Sequence, residues 1–161
     1  MIILGIDPGL VKTGWGVVSY EKSVLKFIAC GQIKTSDKMD LCSRLGVLSE
    51  GLAKVIRDYD PDEVAIEETF VNKSGQSTLK LGQARGALIL TVAQAKIPLE
   101  EYAANLVKKT VTGNGHAEKE QVQVMVKMLL PHASFDNADA ADALAVAITH
   151  SMHNKVLLPQ S

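Results

Sequence analysis

A chain of 161 residues, 47% apolar and only 4% aromatic, is long enough for one domain with an aliphatic core and too apolar for intrinsic disorder. No apolar run approaches membrane-spanning length, the apolar start is broken at Asp7 and lacks a basic leader, and Cys30 and Cys42 lack CxxC spacing; a cytoplasmic protein with packed or idle thiols is expected. The net charge of −1 is unevenly spread: residues 1–70 hold eight Lys and Arg against eleven Asp and Glu, residues 71–119 seven against three, and residues 120–161 two against four. A cationic middle third is what phosphate binding requires, although solvated helix-surface lysines would give the same count.

The first elements are β-rich stretches at Ile2–Asp7, Gly14–Ser19 and Leu25–Thr35, joined by turns short enough for antiparallel hairpins. Leu41, Leu45, Leu48, Leu52, Val55, Ile56 and Tyr59 recur at helical spacing, and Asp60-Pro61 ends that helix. A strand from Glu63 to Phe70 follows, then a long helix over Gln76–Ala95 with Leu79, Ala87, Leu88, Leu90 and Val92 among its apolar positions. Gly82 and Gly86 interrupt it at a cost of about 1 kcal/mol each, which close packing would offset; a self-associating face is one candidate. Pro98–Tyr102 reads as a short last strand, Thr112–Gly115 as a turn-rich loop, and helices close the chain at Ala117–Leu130 and Ala138–His153. The order βββαβαβαα predicts an α/β fold: a mixed five-stranded sheet, three antiparallel strands and then alternating strand and helix, with helices on both faces. A single domain over residues 1–150 and a flexible C-terminal tail over 151–161 are expected.

Asp7 ends an apolar strand immediately before Pro8-Gly9. A carboxylate there loses hydration and needs a cation or several donors in compensation, so it is a metal ligand, an acid or base, or a cap for its own turn. Glu67 and Glu68 end a second apolar strand; alternation lets only one of them join Asp7 easily, and the pattern does not choose between them. Asp139 and Asp142 share a helix face at i, i+3 spacing among alanines. A helix N-terminus accounts for Asp139, but poorly for Asp142, which lies deeper. Carboxylates on three apolar elements, without a matching set of His or Cys, favour hard oxygen coordination and hence Mg²⁺ or Mn²⁺ over zinc. Two such ions about 3.5–4 Å apart suit phosphoryl transfer on a polyanion, where they orient a water nucleophile and stabilise the leaving 3′ oxygen. His150 and His153 have metal-ligand spacing, but a helix-dipole role or none fits a C-terminal end better. His116 is a weak candidate for a DNA contact, and Asp58, Asp60, Asp62 and Glu63 read as a solvated turn.

Seven blocks in order closely resemble the RuvC family: GIDPG at Gly5–Gly9, AIEETF at Ala65–Phe70, LKLGQARG at Leu79–Gly86, EYAA at Glu101–Ala104, KKTVTGNG at Lys108–Gly115, AEKEQVQ at Ala117–Gln123 and DNADAADALAVAITH at Asp136–His150. These are bacterial Holliday junction endonucleases on the ribonuclease-H-like fold, and the resemblance spans Ile2–His150. It implies a homodimer that binds a four-way DNA junction and makes paired nicks in strands of like polarity, in recombination and repair, with a branch-migration complex of the Ruv type as partner. It assigns Asp7, Glu67, Asp139 and Asp142 as catalytic metal-binding acids, for two Mg²⁺ ions per site with Mn²⁺ as a substitute, and so selects Glu67 over Glu68. Asp7 becomes the expected bridge between the ions. Lys108 and Lys119 match family lysines near the scissile phosphate, where a cation neutralises developing charge or holds the backbone.

Phe70 matches a family aromatic that contacts bases at the junction, where stacking is worth about 1–3 kcal/mol per base; a core residue closing its strand is the alternative. Lys73, Lys80, Arg85 and Lys109 complete the expected DNA-binding set, with the dimer surface as the alternative for the first three. An ATP-binding protein of the actin and sugar-kinase type also has a phosphate loop that follows a strand with Asp and Gly, but it binds nucleotide between two such domains and needs a longer chain. A nuclease acting on RNA–DNA hybrids would share the chemistry and differ in substrate. A non-enzymatic junction binder would have no reason to keep four carboxylates, which repel phosphate unless ions are bound.

Overall fold

A computed structural model describes residues 1–68 and 74–154. Among them the chain runs β1 (Ile2–Asp7), β2 (Lys12–Glu21), β3 (Val24–Lys34), α1 (Leu41–Tyr59), β4 (Glu63–Glu67), α2 (Gly75–Gln94), β5 (Leu99–Tyr102), α3 (Ala104–Thr112), α4 (Lys119–Leu129) and α5 (Ala138–His153). The strands form one mixed sheet in the order β3-β2-β1-β4-β5, with β2 antiparallel to its neighbours and β4 parallel to both β1 and β5. β1 is an unbroken apolar run because it lies mid-sheet with both faces covered.

Strand alternation sorts the core into two layers. Ile3 and Ala65 face α5, flanked by Val107 and Val111 of α3 and Val122 and Val126 of α4. Leu4, Ile6, Val64 and Ile66 face the opposite way, onto Leu48 and Leu52 of α1 and Ala84 and Leu88 of α2. The α5 side packs at backbone distance. A Cβ on Gly5 would stand 2.1 Å from the Ala143 carbonyl oxygen, and one on Gly14 would stand 2.0 Å from that of Asp139.

α3 carries no clear signal in the sequence. Its N-cap, Ala103, has no side chain to bond the first turn, and its nine residues are too few for a clear apolar period. Gly113, read as loop, is its left-handed C-cap at φ 83°, donating its N–H to the Lys109 carbonyl at 2.8 Å. The apolar positions of α2 divide between core and surface. Ala84, Leu88, Thr91 and Val92 are the buried positions, while Leu79 and Leu90 are 63% and 57% exposed. β4 ends at Glu67, short of the expected Phe70, which lies outside the described residues; α5 spans Ala138–His153 as expected, and residues 155–161 of the expected tail lie outside the described residues.

The acids expected in a solvated turn are partly structural. Asp62 accepts the Ile2 N–H at 2.6 Å, and the half-buried Glu63 carboxylate bonds Nε2 of His150, which is 1% exposed. Its other ring nitrogen, Nδ1, lies 2.9 Å from the Tyr102 hydroxyl, so both nitrogens are engaged within the protein. His150 therefore ties α5 to β4 and β5 and holds no free lone pair for a metal. His153 is likewise engaged, 2.8 Å from the Thr110 hydroxyl.

Glycine where α5 meets β1 is a steric requirement, not a propensity. Gly5→Ala is expected to lower the melting temperature by at least about 10 °C or to prevent soluble expression, because the Cβ meets helix backbone that cannot rotate away. Gly46→Ala, in α1 with nothing within 4 Å of its Cβ, is expected to leave stability unchanged or raise it by about 0.5–1 kcal/mol. Thermal unfolding of both variants checks the contrast.

Candidate active site

Asp7 is in phase with Ile3 and Gly5, so its carboxylate emerges on the α5 side of the sheet. Glu67 is in phase with Ala65 and emerges on the same side, whereas Glu68 is exposed. Asp142 comes from α5 itself. That helix begins with Asn137, whose side-chain oxygen accepts the Ala140 N–H at 2.8 Å, which places Asp139 in its first turn and Asp142 one turn further.

Asp7, Glu67 and Asp142 line a cavity of about 320 Å³ with Lys108, Lys119, Ala104, Val107, Val122 and Ala145. Asp139 stands outside its wall yet contributes charge to Asp7 and Asp142. Among the described residues no three His, Cys, Asp or Glu side chains close tightly enough on one point to enclose an ion; the acids ring the cavity instead.

The electrostatics follow from crowding like charges in a partly dry space. Burial pushes Asp7 up to about 8, reinforced by repulsion from Glu67, Asp142 and Asp139 and opposed by Lys119. Burial likewise raises Glu67 to about 7, with Asp142 adding to it and Lys108, a hydrogen bond from Asp7 and Lys119 working against it. Asp142 rises to about 6, again chiefly through burial, with Lys119 and Lys108 opposing. Burial and mutual repulsion thus push both carboxyls of the Asp7–Glu67 pair toward the neutral form. An all-oxygen set whose members repel one another is suited to a hard divalent cation, which would take the place of protons there.

Of the other expected site residues, Lys108 of α3 and Lys119 at the start of α4 reach the cavity, while Lys80 and Lys109 are exposed and outside its wall. Phe70 and Lys73 lie outside the described residues. Arg85, expected at phosphate or at a dimer surface, is bonded within the protein: its Nη2 pairs with the Glu101 carboxylate and its Nε lies 3.4 Å from the Glu67 carbonyl oxygen. The apolar wall residues Ala104 and Val107 were not foreseen because the helix that carries them was not.

A mixed sheet whose central strands deliver acids to the first turns of a helix bearing two more is the arrangement of the ribonuclease-H-like nucleases. The family described as "Crossover junction endodeoxyribonuclease RuvC" matches this sequence over residues 3–150. A protein of that name from Methylorubrum extorquens (strain PA1) is 59% identical over 151 residues, covering 94% of this chain and 80% of its own, and one from Brucella suis biovar 1 is 54% identical over 97% of this chain and 90% of its own. The structure of Thermus thermophilus RuvC in complex with Holliday junction substrate superimposes with a TM-score of 0.89 at 32% identity, covering 97% of this chain and 96% of that one. The chain belongs to the crossover junction endodeoxyribonuclease RuvC family.

The raised carboxyls carry a stability consequence of definite sign. Between the ordinary Asp value and about 8, folded Asp7 holds a proton that the unfolded chain has released, so its contribution to stability falls as pH rises through that window. In chelator, Asp7→Asn is expected to melt above the wild type, the gap widening by about 5 °C or more between about pH 5.5 and about pH 8.5. Parallel melting curves across that range check it; a gap that does not grow with pH would remove the repulsion argument.

Proposed function

We propose that this protein resolves four-way (Holliday) DNA junctions by metal-dependent hydrolysis of phosphodiester bonds in paired strands. The observation that carries this reading is the gathering of Asp7, Glu67 and Asp142 from β1, β4 and α5 at one cavity, with Lys108 and Lys119 on its wall. The Thermus thermophilus relative bound to a junction supports the choice of substrate.

Asp7, Glu67, Asp139 and Asp142 would hold two Mg²⁺ ions, or Mn²⁺ in their place. Bound there, divalent cations supply water activation and neutralisation of the leaving 3′ oxygen. The protein's own residues do the rest. Because burial raises both Asp7 and Glu67, a divalent cation would compete with protons for these carboxylates, and its occupancy would increase with pH through the neutral range. Lys108 and Lys119 draw the scissile phosphate to the acids and offset the charge that gathers on it. The apolar wall of Val107, Val122 and Ala145 keeps the carboxylates from being solvated individually.

Paired nicks need two sites, and α2 offers a means of bringing two copies together. Leu79, Gly82, Gly86 and Leu90 fall on one exposed helix face, and nothing lies within 4 Å of a Cβ on either glycine. A second copy of the helix would cover this face closely. Association with a Ruv-type branch-migration complex and a cytoplasmic setting are carried by family membership alone.

Asp7→Asn is expected to lower nicking of a labelled mobile four-way junction by at least about 10³-fold in Mg²⁺ while junction affinity stays within about threefold. Gel mapping of nicks with and without Mg²⁺, beside an RNA–DNA hybrid as competing substrate, measures both; wild-type cutting by the variant would sink the metal role. Leu90→Glu, at an exposed position, is expected to fold normally and to sediment as a monomer at micromolar concentration where the wild type sediments as a dimer.

A further inference from the structure

The β1–β4 pairing ends at Ile6↔Ile66, one residue short of Glu67, so the peptide that carries this acid leaves the ladder on that side. On its other side Glu67 stands opposite Tyr102 of β5, whose carbonyl accepts the Glu68 N–H at 2.8 Å. The Glu67 carbonyl is met instead from α2, on the sheet face opposite to its side chain, by Nε of Arg85 at 3.4 Å. The same guanidinium pairs through Nη2 with Glu101, the β5 residue in register with Ile66. Its side chain is 17% exposed, against 44% for Glu101. A planar fork that bridges two strand ends from behind, with its charge directed at a carboxylate, is poorly placed to meet a phosphate and well placed to fix a backbone.

We infer that Arg85, held by Glu101, is a positioning residue that fixes the Glu67 peptide from the α2 side and thereby sets where the Glu67 carboxylate stands in the cavity. This rests on the function proposed above. Glu67 is the last residue of its strand, so the acid would otherwise depend on the β5 ladder alone, and displacements of about 1 Å at a reacting centre cost up to about 10²-fold in rate. Arg85 also lies between Gly82 and Gly86 in the sequence, so the same side chain joins the outward helix to the acid cluster.

The test uses single-turnover nicking of a four-way junction at saturating protein across a Mg²⁺ titration, with junction affinity measured separately at several salt concentrations without divalent metal. Arg85→Gln is expected to lower the saturated rate at least about tenfold and to raise the half-saturating Mg²⁺ concentration severalfold, with affinity within about twofold and an unchanged salt slope. Glu101→Gln is expected to move rate and Mg²⁺ dependence in the same direction by a smaller factor, even though it removes a negative charge from a DNA-binding protein. Arg85→Lys, which can still pair with Glu101, should recover part of the rate. A phosphate-contacting Arg85 gives the opposite pattern, weaker binding with the salt slope reduced by about one and Glu101→Gln binding DNA as tightly or more so, and that result overturns the inference. A wild-type rate in Arg85→Gln also overturns it, and if that variant does not fold, a wild-type rate and Mg²⁺ dependence in the near-isosteric Glu101→Gln does so. A wild-type protein that binds junctions and never nicks them overturns the parent reading and this one together, whereas intact wild-type nicking with unaffected variants overturns this one alone.

Discussion

The burial of several carboxylates side by side is the constraint around which the molecule is arranged. Asp7, Glu67 and Asp142 would each lower their energy by separating or reaching water, and their raised proton affinities show that they do neither. What opposes them is the seating of α5 on β1 and β2, where Gly5 meets Ala143 and Ala147, Gly14 meets the Asp139 backbone and Gly16 meets Leu144, with these alanines and Leu144 wholly buried. The acids are side effects of no local preference; they stand where tertiary packing puts them, at a free-energy cost that the two cores offset.

That arrangement also divides the labour between the faces of the sheet. The α5 face holds the charge, and α3 and α4 close over it with one lysine each. The opposite face is aliphatic, joined to α1 and α2 by Leu48, Leu52, Leu88 and their neighbours, and its outward helix surface is the candidate meeting point of two copies. Strand alternation alone produces the split, since Leu4 and Ile6 go one way while Ile3, Gly5 and Asp7 go the other.

Much of this was legible in the sequence, for identifiable reasons. β1 and α1 match their expected bounds because an unbroken apolar strand before Asp7 and a long apolar helical period before Asp60-Pro61 are strong signals. The acids stood out because carboxylates at the ends of apolar runs are expensive. Three things were not legible. α3 is short, lacks a side-chain N-cap and ends in a glycine that also reads as a loop. The choice of Glu67 over Glu68 came from the family resemblance and not from the strand's own pattern, because it depends on which sheet face α5 covers, a tertiary fact that pattern omits. The partners of Arg85 and of His150 are 16 and 87 residues away along the chain, at Glu101 and Glu63, so no local window could show that one cation is engaged and that a C-terminal histidine is core.

The close approach of α5 has a bearing on how such a protein can change over evolutionary time. Where helix and sheet meet through long side chains, as Leu48, Leu52 and Leu88 do, a gain in volume at one position is absorbed by a loss at another, and the interface has many solutions. Where they meet through Gly5, Gly14 and a row of alanines there is no volume to exchange and one solution. Volume-changing substitutions can therefore be absorbed on the aliphatic side and the outer surfaces, while the scaffold of the acid cluster has no side chains to give way.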